Sequence, residues 1–379
     1  MANLIGLFIS CACVFAIGLS YVYYPIIRRL TLRKAAGKDQ RPVPDKLSVA
    51  IIFAAYNESE VIEEKITSIF NTVYQEHLIE VWVGSDKSTD GTDEIVKRLQ
   101  KNYPNLHLYR TEGRAGKSAI MNILASKTSA DILIATDANI IFEPHTIPEL
   151  LFPLAQSNIG AVAGTLQYKG PIENGTARTE GSYLNIENSI RLSESQNFGF
   201  CLGMEGGLYA IRAALWKAIP EATFMEDFFQ TMQLLSRGYN ISFNPKAVGL
   251  EDVSTSLDEE FKRKIRISLG NFQNLKRFKG LLISRPYPLG YAFLLHKVLR
   301  WVTPHLLVVL MLSLLLTPLT FYAGLALLAF FLLQFIAIKF KMHGPLAYFC
   351  AMNVAMLIGY FRYMKGVSSS VWEPTKRSQ

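Results

Sequence analysis

Ile132-Leu133-Ile134-Ala135-Thr136-Asp137-Ala138-Asn139 reads as a buried strand that ends in a carboxylate and a carboxamide. Hard oxygen ligands at a strand tip can hold a divalent cation against a diphosphate. Two further acidic positions extend the pattern: Asp86, at the end of an earlier strand, and the later pair Glu226-Asp227. The acidic block lies between hydrophobic segments long enough to enter a membrane.

Working outward from that strand, short apolar runs alternate with helical patterns. Ser48–Ala54, Ile79–Val83, Leu106–Tyr109 and Asp131–Thr136 read as strands. Glu58–Tyr74, with Ile62, Ile66, Ile69 and Val73 on one face, reads as a helix, as do Thr92–Asn102 and Ser118–Lys127. Such alternation predicts an α/β fold with a mainly parallel sheet covered on both faces. Ligands in such sheets sit at the carboxyl ends of the strands, where Asn57, Asp86 and Asp137 all fall.

Each motif has a structural reading beside its chemical one. In Ala55-Tyr56-Asn57-Glu58, Asn57 suits a helix N-cap, or a loop whose backbone cradles a nucleotide base. Asp90-Gly91-Thr92 makes a turn and helix start, whereas Asp86 at the strand tip can accept from a base N–H or a ribose hydroxyl. Gly113-Arg114-Ala115-Gly116-Lys117-Ser118 resembles the end of a P-loop, but Thr111 stands where the pattern needs glycine. Lys117 can still touch a donor phosphate. Glu226 and Asp227 suit the positive end of a helix, yet Phe228 and Phe229 beside them disfavour the charged form and suit a general base. A helix is expected over Leu257–Phe278, with Ser256 and Glu259 as a capping box. Its Arg263 and Arg266 share a face, aimed at lipid headgroups or at a diphosphate leaving group.

The chain has 379 residues, a net charge of +8 and a half-hydrophobic composition. Leu4–Ile27 is nearly uncharged and long enough for a bilayer core of about 30 Å. Arg28, Arg29, Arg33, Lys34, Lys38 and Arg41 follow it, which predicts an uncleaved anchor with a cytoplasmic soluble domain. Val302–Leu319 and Phe321–Ile338 read as two further spans, and Leu346–Tyr360 as a short run whose topology charge does not settle. The positive charge gathers near these segments and suits anionic lipid; nucleic-acid binding is not expected. Cys11, Cys13, Cys201 and Cys350 form no metal-ligand spacing.

In this order the motifs resemble the family-2 glycosyltransferases of GT-A fold. The likeness is to the membrane-integrated branch, which includes cellulose, hyaluronan and poly-N-acetylglucosamine synthases and ceramide-glucosyltransferase-like enzymes. It implies donor-nucleotide contacts at Ala55, Tyr56, Asn57, Glu58, Asp86, Lys117 and Asp137, with Asp86 at a uracil. It implies a Mg²⁺ or Mn²⁺ site at Asp137 and Asn139 and an acceptor-side glycine motif with Gly206 and Gly207. A catalytic acidic pair falls on Glu226 and Asp227, with Asp227 as base, and diphosphate contacts on Arg263 and Arg266. The expected organisation is an anchor at 1–27, a basic linker at 28–44, a GT-A domain at 45–280, and interfacial and transmembrane segments at 281–379. The resemblance also implies a bacterial inner-membrane protein with its catalytic domain in the cytoplasm.

Two departures from that pattern matter. Asn139 replaces the second metal carboxylate. The Gln-x-x-Arg-Trp signature of polymerising members loses its Gln and Trp, here Arg263 and Ile267. The expectation is transfer from a nucleotide-diphosphate sugar, UDP-linked, to a lipid-linked or polysaccharide acceptor, by one or a few additions. The alternatives are a processive synthase, a polyprenyl-phosphate glycosyltransferase and a sugar-sensing transporter subunit. The sugar, the acceptor and the oligomeric state are not set by the sequence.

Overall fold

The computed structural model describes residues 2–33, 47–169, 175–252, 257–339 and 344–366. The chain divides into two compact units: a sheet unit of residues 32–171 and 187–253, and a helical unit of 1–31, 172–186 and 254–366. Lys34, Lys38 and Arg41 of the basic cluster lie outside the described residues, as does Ser256 of the expected capping box.

The sheet unit carries one sheet of eight strands among the described residues. They are β1 (Val49–Ala55), β2 (Ile79–Ser85), β3 (Leu106–Arg110), β4 (Ile132–Thr136), β5 (Ile141–Phe142), β6 (Ile159–Tyr168), β7 (Leu208–Arg212) and β8 (Asn240–Glu251). The order is β3-β2-β1-β4-β7-β6-β8-β5. β3, β2, β1 and β4 run parallel, as the alternation predicts. β7 then pairs antiparallel with both β4 and β6, and β6 runs parallel to β8, so the whole sheet is mixed. Every residue of β1 and β4 is buried, because helices cover both faces of the parallel half. Ile62, Ile66 and Ile69 supply one cover, packing with Ile51, Phe53, Val81 and Ile134.

The first helix is shorter than its apolar pattern, running from Ile62 to Phe70. Asn57 adopts a left-handed conformation with φ of 53°, which breaks the helix upstream. Beyond Phe70, the Val73 amide bonds the Pro144 carbonyl at 2.8 Å, turning the chain away. Val73, expected on the buried face, is therefore 56% exposed.

Among the described residues of the helical unit, three helices are long and apolar enough to cross a membrane: Asn3–Leu30, Pro286–Leu316 and Pro318–Ile336. The second reaches further back than the expected span, through π-helical turns at Pro286–Gly290 and Phe293–Val298. The short apolar run at the end is part of a fourth helix, Pro345–Met364, which does not belong to that set. The helix Leu257–Phe278 has its expected bounds and falls in this unit, so the boundary between compact units precedes it. Its apolar face meets protein: Phe272 stacks edge-on to Tyr360, with ring centroids 4.8 Å apart. The Ser268 hydroxyl donates to the Met356 carbonyl at 2.6 Å.

The two helices approach so closely that a Cβ on Gly359 would stand 2.5 Å from the Ile265 carbonyl oxygen. Backbone there has no rotamer by which to yield. Gly359→Ala is therefore expected to destabilise the detergent-solubilised protein by about 1–3 kcal/mol, read as a lower thermal midpoint. Gly344→Ala, with nothing within 4 Å of its Cβ, should leave the midpoint unchanged.

Candidate active site

The loops after β1 and β2 are tied to each other. Asn57 Oδ1 accepts from the Thr89 amide at 2.9 Å, and the Asn57 amide donates to Ser88 Oγ at 3.1 Å. The Glu58 amide donates to Thr92 Oγ1 at 2.9 Å, and the Ser59 amide to Asp90 Oδ2 at 2.9 Å. Asn57 thus braces the β2 loop across the strand tips instead of capping the next helix. Burial alone would raise the Asp90 pKa, but the donors from Thr92 and Ser59 outweigh it and lower it.

Asp86 has no exposed surface. Its Oδ2 accepts from Arg114 Nε at 2.9 Å and its Oδ1 from the Ala115 amide at 2.6 Å. The Gly116 amide reaches both oxygens, at 3.4 and 3.3 Å. The glycine-containing loop therefore turns its N–H groups onto a carboxylate of its own chain, which is no P-loop arrangement. Arg114 also lies over the Tyr56 ring, 3.3 Å from its centroid. Asp86, Arg114 and Tyr56 make one stacked unit at the tips of β1 and β2.

The acidic positions gather next to it. Lys117 opens a helix (Lys117–Lys127), and its Nζ lies 2.6 Å from Asp137 Oδ1 and 2.5 Å from Glu226 Oε1. Burial works against that ammonium, but the two carboxylates outweigh it and raise its pKa. Glu226 and Asp227 begin the helix Glu226–Ser236, and Asp227 Oδ1 accepts from the Phe228 amide at 2.7 Å. Burial and the neighbouring Glu226 push Asp227 up to about 7, against the opposing pull of Lys117 and that amide. A Cβ on Gly206 would stand 3.3 Å from Asp227 Oδ2, so a glycine there leaves room for the carboxylate. The Gly207 carbonyl accepts from Thr136 Oγ1 at 2.6 Å, which ties the glycine loop to the end of β4.

Further side chains meet these residues. Lys65 is buried beneath the Asp137 turn and donates to Thr136 Oγ1 at 2.9 Å. It sits within the apolar pattern of its helix, and a lysine between Ile62 and Ile66 was the available clue. Tyr209 is 1% exposed, and its hydroxyl makes no hydrogen bond among the described residues. Burial, and then Glu226, Asp227 and Asp137, hold its pKa well above the usual value, so it stays a donor. Asn139 Nδ2 donates to Glu251 Oε1 at 3.3 Å, at the end of β8. The glycine loop is pinned by Arg191 to Glu205 at 2.5 Å and by the Leu202 amide to Glu194 at 2.8 Å.

The structure thus brings together Tyr56, Asn57, Glu58, Asp86, Lys117, Asp137, Asn139, Gly206, Gly207, Glu226 and Asp227 within the sheet unit, with Ala55 at the end of β1. Arg263 and Arg266 belong to the helical unit, where Arg263 Nη1 lies 3.6 Å from Glu260 Oε2. Among the described residues no three acidic, histidine or cysteine side chains are grouped closely enough to cage a metal ion. Asp137 is 38% exposed and already holds a cationic group. That donor set suits a cation whose remaining ligands come from a bound phosphate and water.

The chain is similar to known proteins in sequence and in fold. The family model for glycosyl transferase family 2 matches residues 50–213, and that for glycosyl transferase family group 2 matches residues 155–361, more than half of the chain. "Probable glycosyltransferase YdaM" of Bacillus subtilis (strain 168) is 22% identical over 253 residues, 64% of this chain and 59% of that protein. The poly-beta-1,6-N-acetyl-D-glucosamine synthase of Staphylococcus aureus (strain COL) is 24% identical over 301 residues, 76% of this chain and 69% of that protein. The fold matches that of the mannosyltransferase PcManGT from Pyrobaculum calidifontis, solved with GDP-Man and Mn²⁺. The TM-score is 0.72 at 21% identity, over 96% of this chain and 99% of that one. With a GT-A sheet, the acidic motifs at its strand tips and two matching family models, the chain belongs to glycosyltransferase family 2.

Proposed function

We propose that the chain is a membrane-bound inverting glycosyltransferase. It moves a sugar from a nucleoside-diphosphate sugar to a lipid-linked or polysaccharide acceptor at the cytoplasmic leaflet. The observation that carries this reading is Lys117, which joins Asp137, on the donor side, to Glu226, next to Asp227.

Asp227 is the base. It takes the proton of an acceptor hydroxyl as that oxygen attacks the anomeric carbon, and the bond to the diphosphate breaks with its electron pair. Burial makes a carboxyl near pH 7 half-ionised and basic enough to accept a proton. Asp137 and Asn139 would hold a Mg²⁺ or Mn²⁺, which supplies charge stabilisation for the leaving diphosphate when bound. Lys117 supports that same charge. Tyr56, Asn57, Glu58 and Asp86 form the base end of the donor site. Asp86 acts there through Arg114, since its oxygens are already engaged. Gly206 and Gly207 border the acceptor.

The three apolar helices support membrane attachment, and Arg28 and Arg29 in the last turn of the first, with Arg33 just beyond it, support a cytoplasmic catalytic unit. Loss of the Gln and Trp positions favours one or a few additions, whereas the similarity to a poly-N-acetylglucosamine synthase keeps a processive product as the second reading. A donor screen on membrane extract, using radiolabelled UDP- and GDP-sugars and separating lipid from polymer, decides between them. Label in lipid supports single addition, label confined to long polymer overturns it, and no label with any donor overturns transfer itself.

Asp227→Asn is expected to lower kcat by about 10²–10⁴-fold. The wild-type kcat/KM should rise with pH to a plateau above about 7, because the raised pKa keeps the base protonated below that value. An unchanged rate in Asp227→Asn would remove the base assignment. Asp137→Ala should abolish turnover at any Mn²⁺ concentration, and Asn139→Ala should reduce it only partly, since only Asp137 brings a charge. Equal losses in a Mn²⁺ titration would contradict that ranking.

A further inference from the structure

Lys65 has no solvent exposure. It belongs to the face of the helix Ile62–Phe70 that packs on the sheet, beside Ile62, Ile66 and Ile69. Lysine is almost never fully buried without a specific partner. Here the ammonium donates to Thr136 Oγ1 at 2.9 Å and to the Ile140 carbonyl. The Phe142 ring centroid lies 3.9 Å away, and cation–π attraction meets part of the lost hydration.

The two oxygen partners bracket the turn Asp137-Ala138-Asn139. Thr136 is the residue before it and Ile140 the residue after it, and the Ile140 amide closes the turn onto the Asp137 carbonyl at 3.2 Å. One ammonium therefore holds both ends of the turn from beneath. The same Thr136 hydroxyl donates onward to the Gly207 carbonyl at 2.6 Å. Lys65, Thr136 and Gly207 form a hydrogen-bonded chain, Lys65 donating to the Thr136 hydroxyl and that hydroxyl to the Gly207 carbonyl. It runs from the core to the glycine loop next to Asp227. Burial holds the Lys65 pKa well below the usual lysine value, and an apolar residue would fill the space without that cost.

We propose that Lys65 is a positioning residue that sets the Asp137-Ala138-Asn139 turn for divalent-cation binding and, through Thr136, locks that turn to the acceptor-side glycine loop. The inference rests on the assignment of Asp137 to the cation.

The test is Mn²⁺ binding to the full-length, detergent-solubilised protein, followed by electron paramagnetic resonance with UDP or GDP present. Lys65→Met should weaken Mn²⁺ affinity by about 10- to 100-fold, the range for residues that orient metal ligands, while the thermal midpoint and secondary structure hold. Thr136→Val should weaken it in the same direction, and Thr136→Ser, which restores the hydroxyl, should recover it. Those two variants carry the test if Lys65→Met does not fold. Unchanged affinity in Lys65→Met or in Thr136→Val, with or without a lower thermal midpoint, would overturn the positioning role. Asp137→Ala is the control for the underlying assignment. If it binds Mn²⁺ like the wild type, the cation site itself is misplaced. If it loses binding while Lys65→Met does not, only the role of Lys65 fails.

Discussion

Three carboxylates at one end of a sheet repel one another, and Lys117 is what allows them to stand together. Its ammonium touches Asp137 and Glu226, and its field reaches Asp227. Without it, burial of Glu226 and Asp227 would place two uncompensated charges in a low-dielectric setting, which is among the costliest arrangements in a fold. The helix that carries Lys117 starts where Asp86 captures the preceding amides. The buried Asp86 thereby determines where Lys117 stands. The Asp86 unit at the tips of β1 and β2 and the acidic cluster are thus one electrostatic construction.

The same balance sets the chemistry. Asp227 is raised to about 7 because burial and Glu226 together exceed the pull of Lys117 and the Phe228 amide. A stronger hold by Lys117 would leave a weaker base, and a weaker hold would leave it protonated at neutral pH. Tyr209 beneath the carboxylates stays protonated and adds no charge of its own. The glycine loop completes the arrangement. Thr231 accepts from the Met204 amide at 3.0 Å while its hydroxyl donates to the Asp227 carbonyl at 2.9 Å.

The parallel half of the sheet was legible because strands covered on both faces need unbroken apolar runs, and the oxygen-bearing residues that end them stand out against those runs. Asp86 and Asp137 stand at the ends of such runs. The half from β6 to β8 was not. β6 carries Gly160 and Gly164, β7 is five residues long, and β8 holds Pro245 in a run of mixed polarity. None of these shows a simple period, and their pairing is set by neighbours far away in sequence. Val73 was misplaced because periodicity continues past the point where a backbone bond to Pro144 ends the helix. Lys65, Arg114 and Glu251 were invisible as site residues for a related reason. Their roles come from contacts with distant loops, and only Lys65 breaks a local pattern.

Asn139 shows how such a distant contact changes the meaning of a motif. Read alone, it is a lost metal carboxylate. In the fold its amide donates to Glu251 Oε1 at 3.3 Å, across the gap between the β4 turn and the end of β8. An aspartate at 139 would set a second carboxylate against Glu251 at that contact. Like charges at that distance are destabilising, whereas an amide turns the same contact into a hydrogen bond to an ionised group. The carboxamide therefore follows from the carboxylate on β8. The negative charge of the region is distributed over Asp137 and Glu251 instead of being concentrated in one turn.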